Sequence, residues 1–454
     1  MNEKQKSYTL DMTQGSPVRL LLKFSLPLFI GNLLQQFYNL ADTSIAGHLL
    51  GDSALAQIGA TAALYCLITN FAFGINNGLA LNVSRNFGAG NQKEVKKSVC
   101  WMVTLSCMMA IILMASFLIW KEPLLRLMQT PEDTMQGALA YLTIILMGIP
   151  LTMLYNLEAG LLQAVGNSIT PLIFLFISSV LNVGLDFLFI GTLNMGVQGA
   201  AVATVLSQGI CAGLGLFYII RNYPELRFTR QEYKVKPKFV LEMFWTGLSM
   251  ALMSAIYNIG SVILQSGINA LGSVYIAAQV GGRRLAEFFY VPGLALGTAI
   301  ATYASQNYGA GCKSRIKKGI KSAILLYGVW WLFAVIISFT FAPAAVRLIT
   351  GSESKDVIYN GALYLRVSIP MVPPMAVLVI MRNALQGMRH SIAPLLCSSI
   401  ELLGKVIFTI WLVPTFGYVA VCACEPVTWV ICCAFILGAA FLCRNDFRDE
   451  EKDS

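Results

Sequence analysis

Long runs of hydrophobic residues, separated by short polar stretches, recur along the chain from Val18 to Cys443. Each run approaches the ~20 residues that an α-helix needs to cross the hydrocarbon core of a bilayer. Twelve such segments are predicted, at 18–44, 54–82, 97–120, 134–157, 169–193, 198–220, 239–265, 274–302, 319–342, 357–381, 391–413 and 418–443. The pattern therefore predicts an all-α polytopic membrane protein with twelve transmembrane helices.

The composition agrees with a membrane protein. Hydrophobic residues make up 56% of the chain and charged residues only 12%, whereas soluble domains carry about 25% charged residues. The polar start "MNEKQKSYTLDMTQGS" lacks the short apolar region and the cleavage site of a signal peptide. The first helix is therefore predicted to be retained. The eleven cysteines show no CxxC spacing and are interpreted as small packing residues.

The basic residues are distributed unequally between the two sides that alternating spans define. Counting those at the start of the first segment, the side with both termini carries 24 Lys and Arg, and the other side carries four. Because cytoplasmic loops are enriched in Lys and Arg, both termini are predicted to be cytoplasmic, in a plasma or inner membrane. This distribution also explains the net charge of +9 without a nucleic-acid partner.

Two sequence motifs occur twice, in the same order. "SRNFGAGNQKEVKKSV" at 84–99 returns as "SQNYGAGCKSRIKKGI" at 305–320, and "LQAVGNSITPL" at 162–172 returns as "LQGMRHSIAPL" at 385–395. The displacements of 221 and 223 residues indicate a duplicated six-helix unit. Parallel repeats of this kind are related by a pseudo-two-fold axis along the membrane normal. The predicted lobes are 1–222 and 239–454, joined by a cytoplasmic linker at 223–238. Both glycines of each GAG motif are expected to permit positive φ after a long helix.

No motif of a soluble enzyme is present. The chain has no GxxxxGK[ST] phosphate loop, no GxSxG and no HExxH. A secondary transporter, a channel or an intramembrane enzyme remain, and the duplicated halves favour a transporter that needs no cofactor.

Three stretches together carry a family resemblance: "LPLFIGNLLQQFYNLADTSIAGHLLG" at 26–51, the two GAG motifs, and "LNVGLDFLFI" with "GVQGAAVATVLSQ" within 181–208. In their order and spacing they resemble the MATE family of multidrug and toxic-compound extrusion transporters, and the DinF-like subgroup in particular. The resemblance implies an antiporter that exports organic, often cationic and lipophilic compounds in exchange for H⁺ or Na⁺ by alternating access. It also implies a coupling site in the first lobe at Asp42, Asn182, Asp186 and Thr204. Pro27 matches the bend of helix one, and Tyr38 matches a tyrosine one turn before Asp42.

The residues themselves point to the same site. A carboxylate at mid-membrane costs about 2.5–3.5 kcal/mol on insertion scales, so it needs a partner or a task. Asn182 and Asp186 are four residues apart and share a helix face, and Asp42 comes from another span. Two aspartates, an amide and a hydroxyl suit a small cation such as Na⁺, while two nearby carboxylates can instead share a proton. The alternative interpretation is a structural hydrogen bond that holds three helices together.

The second repeat replaces this site with fixed charges. Under the displacement of 223, Asn182 corresponds to Lys405 and Asp186 to Thr409. The tenth predicted span, 357–381, also lacks the interior carboxylate that the NorM-like members of the MATE family keep. The hypothesis is a permanent internal charge network that does not titrate, formed by Lys405, Glu401, Glu425, Arg284 and Glu287, with Arg283 and Glu287 as an i,i+4 pair.

The substrate is not encoded in a single motif. Tyr155, Tyr257 and Met253 are candidate cavity walls for lipophilic cations, although ordinary packing explains them equally well. A monomer in contact with small organic substrates and the lipid bilayer is expected. The alternative function is a flippase for lipid-linked saccharides, which would predict spans beyond twelve. A channel would not need the two-aspartate site.

Overall fold

The computed structural model describes residues 9–447, and these residues contain helices and no strand. The first half of the chain forms α1 Pro17–Leu50, α2 Asp52–Gly88, α3 Gln92–Leu127, α4 Glu132–Met147, α5 Ile149–Ala164, α6 Ile169–Asp186 and α7 Gly196–Asn222. The second half forms α8 Pro237–Leu271, α9 Ser273–Gly309, α10 Lys313–Thr350, α11 Lys355–Ser368, α12 Val372–Gly387, α13 Ile392–Ile407, α14 Val413–Phe416 and α15 Tyr418–Leu442.

Eleven helical segments of the described chain are long and apolar enough to cross a membrane. A twelfth arises if α4 and α5 are counted as one span, since they meet at a break bent by 46°. The prediction of a polytopic all-α protein is therefore confirmed. Only helices or closed barrels satisfy every backbone hydrogen bond within hydrocarbon, which is why hydropathy detects the spans.

Several helices extend well beyond the predicted segments. Helix α2 continues to Gly88 and α3 begins at Gln92, where the sequence predicted a loop over 83–97. The helical backbone hydrogen bonding continues into the polar ends of these helices, which hydropathy does not detect. Only the second glycine of each GAG motif has positive φ, 67° at Gly90 and 72° at Gly311, whereas the first glycine still belongs to the helix. The first glycine of each motif thus ends the helix, and only the second uses the conformational freedom that both possess.

The chain divides into two compact units. The first comprises Met1–Asp11 and Leu26–Ala251, and the second comprises Met12–Ser25 and Leu252–Ser454. Two of the three boundaries thus fall inside α1 and inside α8, and the third, between Asp11 and Met12, lies before α1. The segment 223–238 belongs to the first unit, where its 3₁₀ turn Arg230–Tyr233 places Tyr233 edge-on against Trp101 with ring centroids 6.0 Å apart.

The two units share several elements in the same order, including an unusual one. In each, a long helix passes directly into a π-helical turn, Phe187–Thr192 after α6 and Phe408–Leu412 after α13. Each unit also breaks a span near its middle, between α4 and α5 and between α11 and α12. π-Helical turns are rare and frequently accompany functional sites.

Close backbone packing supports the first unit. Gly74 and Gly78 of α2 face the start of α8, and a Cβ on Gly78 would lie 2.6 Å from the carbonyl oxygen of Thr246. Without side chains at these positions the two helices approach closely. Buried apolar side chains of α2, α3 and α5 fill the space around this contact.

Candidate functional site

Helix α6 buries its polar face and exposes its apolar one. Its buried residues are Thr170, Ser178, Asn182 and Asp186, whereas Ile173, Phe176 and Val180 are about half exposed. This pattern suits a helix that faces lipid on one side and a polar interior on the other. The four-residue spacing from Ser178 to Asp186 aligns these side chains in one buried row.

Asn182 links the aspartate of α6 to helix α7. Oriented with its nitrogen toward Asp186, the Asn182 carboxamide donates to Asp186 Oδ2 at 3.1 Å and accepts from the backbone N–H of Thr204 at 3.3 Å. The hydroxyl of Thr204 donates to the carbonyl of Ala200 at 3.0 Å. Asn182, Asp186 and Thr204 are all buried. The structure thus brings these three predicted residues together.

Asp42 reaches the same place from α1. Its carboxylate lies within hydrogen-bonding reach of Asp186. The Oδ1 atoms of both aspartates are buried and have no hydrogen-bond partner. In the described part of the chain, neither aspartate forms an ion pair with Lys, Arg or His. Two adjacent carboxylates with buried oxygen atoms and no protein cation need a proton or a small cation to neutralise them.

Three tyrosines surround this carboxylate pair. The Tyr38 hydroxyl lies within hydrogen-bonding reach of Thr204, and the Tyr65 hydroxyl reaches Gln208. Tyr141 interacts electrostatically with both aspartates. The sequence identified only Tyr38, because the other two rings come from distant spans that tertiary packing brings together.

Pro27 lies inside α1, two residues after the point where that helix passes from the second unit into the first. A proline removes one helical hydrogen bond, so this part of α1 bends more easily than its neighbours. Its role in a conformational change stays a prediction.

In the second unit, the equivalent helix carries an ion pair. Lys405 Nζ lies 3.3 Å from Glu401 Oε1, and the two side chains are 2% and 9% exposed. The same ammonium lies 4.2 Å from the centre of the Tyr257 ring. Arg382 adds a second cation, 3.9 Å from Glu401. This part of the second unit therefore holds a side-chain cation, whereas the carboxylate pair of the first unit has none among the described residues.

Glu425 and Arg283 extend these charges. The Tyr364 hydroxyl donates to Glu425 Oε2 at 3.0 Å, and Arg283 interacts with Glu425 and pairs with Glu287 at 3.1 Å. Arg284 is exposed, so Arg283 rather than Arg284 makes these contacts.

The candidate substrate residues have intramolecular contacts of their own. Met253 is buried, and its sulfur accepts from Gln386 Nε2 at 2.8 Å. The ring of Tyr257 makes a cation–π contact with the Lys405 ammonium, and Tyr155 lines a small cleft of the first unit. Their part in substrate binding stays a prediction.

A helical membrane protein with repeated units and an uncompensated carboxylate pair among its spans belongs to the class of polytopic transporters. The model of the MatE family matches residues 27–188 and again residues 249–411. The chain therefore belongs to the MATE family of multidrug transporters and is a transporter rather than an enzyme.

Individual proteins agree with this membership. The "Probable multidrug resistance protein YpnP" of Bacillus subtilis is 30% identical over 357 residues, which cover 78% of this chain and 79% of that protein. The "FAD transporter" of Shewanella oneidensis is 25% identical over 83% of this chain and 84% of its own. An outward-facing multidrug resistance MATE family transporter shares the fold, with a TM-score of 0.87, 21% identity, and coverage of 96% of this chain and 98% of that one.

Proposed function

We propose that the protein exports organic compounds, chiefly lipophilic cations, in exchange for H⁺ or Na⁺ by alternating access. The main support is the pair Asp42 and Asp186, whose buried Oδ1 atoms have no hydrogen-bond partner and whose charges no protein cation balances in residues 9–447. An ion that fills the site removes an electrostatic cost that the empty site bears. The occupancy of the site can therefore bias the conformation of the protein.

Coupling follows if the ion and the substrate prefer different conformations. A ligand shifts an equilibrium only through its differential affinity for the two states. Asp42 lies on α1, the helix that contains Pro27. Neutralising Asp42 and Asp186 lets α1 approach α6 more closely, and a bend near Pro27 would accommodate that movement. Substrate affinity then falls on the outward side, and the ion leaves inward in the following step.

The proposed location is a plasma or inner membrane with both termini in the cytoplasm. This orientation is supported by the excess of Lys and Arg in the polar segments on the side of the termini. One chain is proposed as the working unit, because Asp42, Asn182, Asp186 and Thr204 all come from one unit of a single chain.

Transport by the purified protein in liposomes tests the proposal. The probes are ethidium, a lipophilic cation, and a flavin nucleotide, which is included because one relative is named an FAD transporter. Either a pH gradient or a Na⁺ gradient is imposed. The variants are Asp186→Asn and, as a matched control, Asp133→Asn, which makes the same chemical change at an exposed position.

We expect one gradient to drive uphill movement in the wild type and in Asp133→Asn, with a loss of about tenfold or more in Asp186→Asn. The gradient that works identifies the ion, and the probe that moves identifies the charge class of the substrate. If neither gradient moves either probe, or if Asp186→Asn transports normally, the antiport proposal is wrong. Lipid-linked saccharides would then be the next substrates to test.

A further inference from the structure

A third carboxylate is buried in the first unit, away from the aspartate pair. The sequence placed Glu158 at the start of a cytoplasmic loop, but α5 continues to Ala164 and Glu158 is only 4% exposed. Its Oε1 atom has no hydrogen-bond partner, and no cation pairs with the side chain in residues 9–447. A buried carboxylate with neither a hydrogen bond nor an ion pair is costly, which calls for an explanation.

Glu158 faces a small cleft. Tyr155 from α5 and Pro171 and Phe174 from α6 share its walls. The cleft has room for about one water molecule beside the side chain. On its other side the carboxylate packs against Gly215 of α7, where a Cβ would collide with Glu158 Oε2. The side chain is thus held at a water-sized opening.

The cleft lies near the N-terminal end of the polar row of α6, which is formed by Ser178, Asn182 and Asp186. Phe174 is one turn before Ser178, and Asn182 and Asp186 follow at the same interval. At 1.5 Å per residue, each step is about 6 Å and the distance from Phe174 to Asp186 is about 18 Å along the helix. Cys211 of α7 lies within hydrogen-bonding reach of Ser178 and also interacts with Glu158. A nearly continuous series of polar groups therefore runs from Asp186 to Glu158.

The surroundings of Glu158 contain few other groups that can gain or lose a proton. Tyr155 on its own helix and Cys211 on α7 are the titratable groups that interact with it. From α6 it meets Pro171 and Phe174. Helices α2, α3 and α4 also pack on α5, and their described residues place no charge against Glu158.

The internal repeat provides a comparison within the same molecule. Under the displacement of 223, Glu158 corresponds to Met381, and Ser178 corresponds to Glu401. In α13, the positions that correspond to the polar row of α6 are therefore occupied by the Glu401–Lys405 ion pair. The thioether of Met381 takes the place of the Glu158 carboxylate. Only the unit with the aspartate pair has kept a carboxylate at this position.

Glu158 lies on the side of the termini. It is six residues before the end of α5 at Ala164, about 9 Å along the helix. The turn that follows is attached to the N-terminal segment, because Leu10 N–H donates to the carbonyl of Gly166 at 3.1 Å.

We propose that Glu158 is a second proton-carrying carboxylate, which receives the proton released by the Asp42–Asp186 pair and passes it to the solution on the side of the termini. The proton leaves a carboxyl O–H of the pair for water along the α6 row, and a proton from that water binds the Glu158 carboxylate. Bulk water then takes it, so no charge remains in the row. This inference rests on the proposed function with H⁺ as the coupling ion, and it extends that function by a defined exit route.

The test uses the full-length protein in liposomes with ethidium as the probe. Glu158→Gln keeps the shape of the side chain and removes its proton exchange. We expect transport driven by a pH gradient to fall about tenfold or more, while ethidium exchange at equal concentrations and constant pH stays within about twofold, since exchange needs no net proton transfer. Ser178→Ala should act in the same direction, and Ser179→Ala, which is off the row and bonds its own helix at Leu175, should not.

A spectroscopic measurement gives a readout independent of transport. Infrared difference spectra between high and low pH report the C=O stretch of protonated carboxyl groups. We expect a band that Glu158→Gln removes and Asp186→Asn retains. Gly215→Ala, which must displace the carboxylate without removing it, should shift that band, and it serves as the second variant if Glu158→Gln does not fold.

The outcomes separate the two proposals. If Asp186→Asn loses coupling while Glu158→Gln transports normally and keeps every carboxyl band, the antiport proposal stands and the relay is wrong. A wild type that ignores a pH gradient but responds to Na⁺ overturns the relay and leaves the antiporter. Loss of both driven transport and exchange in Glu158→Gln, with the protein folded, indicates a structural role and also overturns the relay.

Discussion

The Glu401–Lys405 ion pair tests whether the charges of the second unit take part in transport. The hypothesis of a fixed network predicts that the double variant Glu401→Leu/Lys405→Met folds and still couples transport to the ion gradient. It also predicts that each single change is more damaging than the double change. Breaking a buried pair leaves one charge without its partner, whereas replacing both residues by apolar ones is often close to neutral.

The structure makes the two single changes unequal. After Lys405→Met, Glu401 keeps Arg382 at 3.9 Å. After Glu401→Leu, Lys405 keeps the face of Tyr257 at 4.2 Å, a contact worth up to about 2 kcal/mol when desolvated, and a longer-range attraction to Glu425. Loss of one buried partner costs about 3–5 kcal/mol, so Glu401→Leu should lie at the upper end and Lys405→Met at or below the lower end. The double variant should lose about 1–2 kcal/mol at most.

Thermal unfolding of the purified protein in detergent measures this order. We expect the unfolding midpoint to be highest for the wild type and the double variant, lower for Lys405→Met, and lowest for Glu401→Leu. The exposed pair Arg347 and Glu353, 2.6 Å apart with side chains 58% and 75% exposed, is the control, and its loss should cost less than about 1 kcal/mol. Two results would refute the reasoning: a double variant as unstable as Glu401→Leu, or a folded double variant without coupling.

Three further predictions concern helix packing, the linker and the site. Gly78→Ala should destabilise the protein by about 1–3 kcal/mol, because the added Cβ meets the backbone of α8. In the control Gly59→Ala, in the same helix, the added Cβ meets nothing within 4 Å, and the protein should gain up to about 1 kcal/mol from helix propensity. Equal unfolding midpoints of the two variants would contradict this prediction. Hydrogen bonds from Thr229 lower the pKa of Glu232, so the stability of that turn is fully present above the ordinary Glu pKa and is lost as the pH falls through the lowered one. Amide exchange should show this loss in the wild type and a smaller loss in Thr229→Ala, which keeps the backbone N–H bond from residue 229 to Glu232. Thr204→Val should raise the ion concentration for half-maximal transport severalfold, and an unchanged value would remove the hydroxyl from the site.

The spans could be predicted from sequence because hydrocarbon imposes a length and a composition on each helix. The segment predicted at 169–193 agrees closely with Ile169–Thr192. Helix ends outside the lipid could not be predicted in this way, since polar residues there carry no hydropathy signal. The same limitation concealed Glu158, because a polar residue next to an apolar run resembles the beginning of a loop.

The candidate site was predictable where its geometry is local. Asn182 and Asp186 share a face because they are four residues apart, and the hydrogen bond between them follows from that spacing. Thr204 came from a family resemblance, since a threonine inside an apolar helix is common. Tyr65 and Tyr141 could not be found from sequence, because only the packing of α2 and α4 against the site distinguishes them from other tyrosines.

The π-helical turns that end α6 and α13 record the history of the protein. They occupy corresponding places in the two repeats, at Phe187–Thr192 and Phe408–Leu412, although the side chains just before them differ in charge. A feature that both copies share was present in the single ancestral unit before it was duplicated. The backbone deformation is therefore older than the difference in charge between the halves, and the residues at or next to it diverged afterwards, to Asn182 and Asp186 in one copy and to Lys405 and Thr409 in the other.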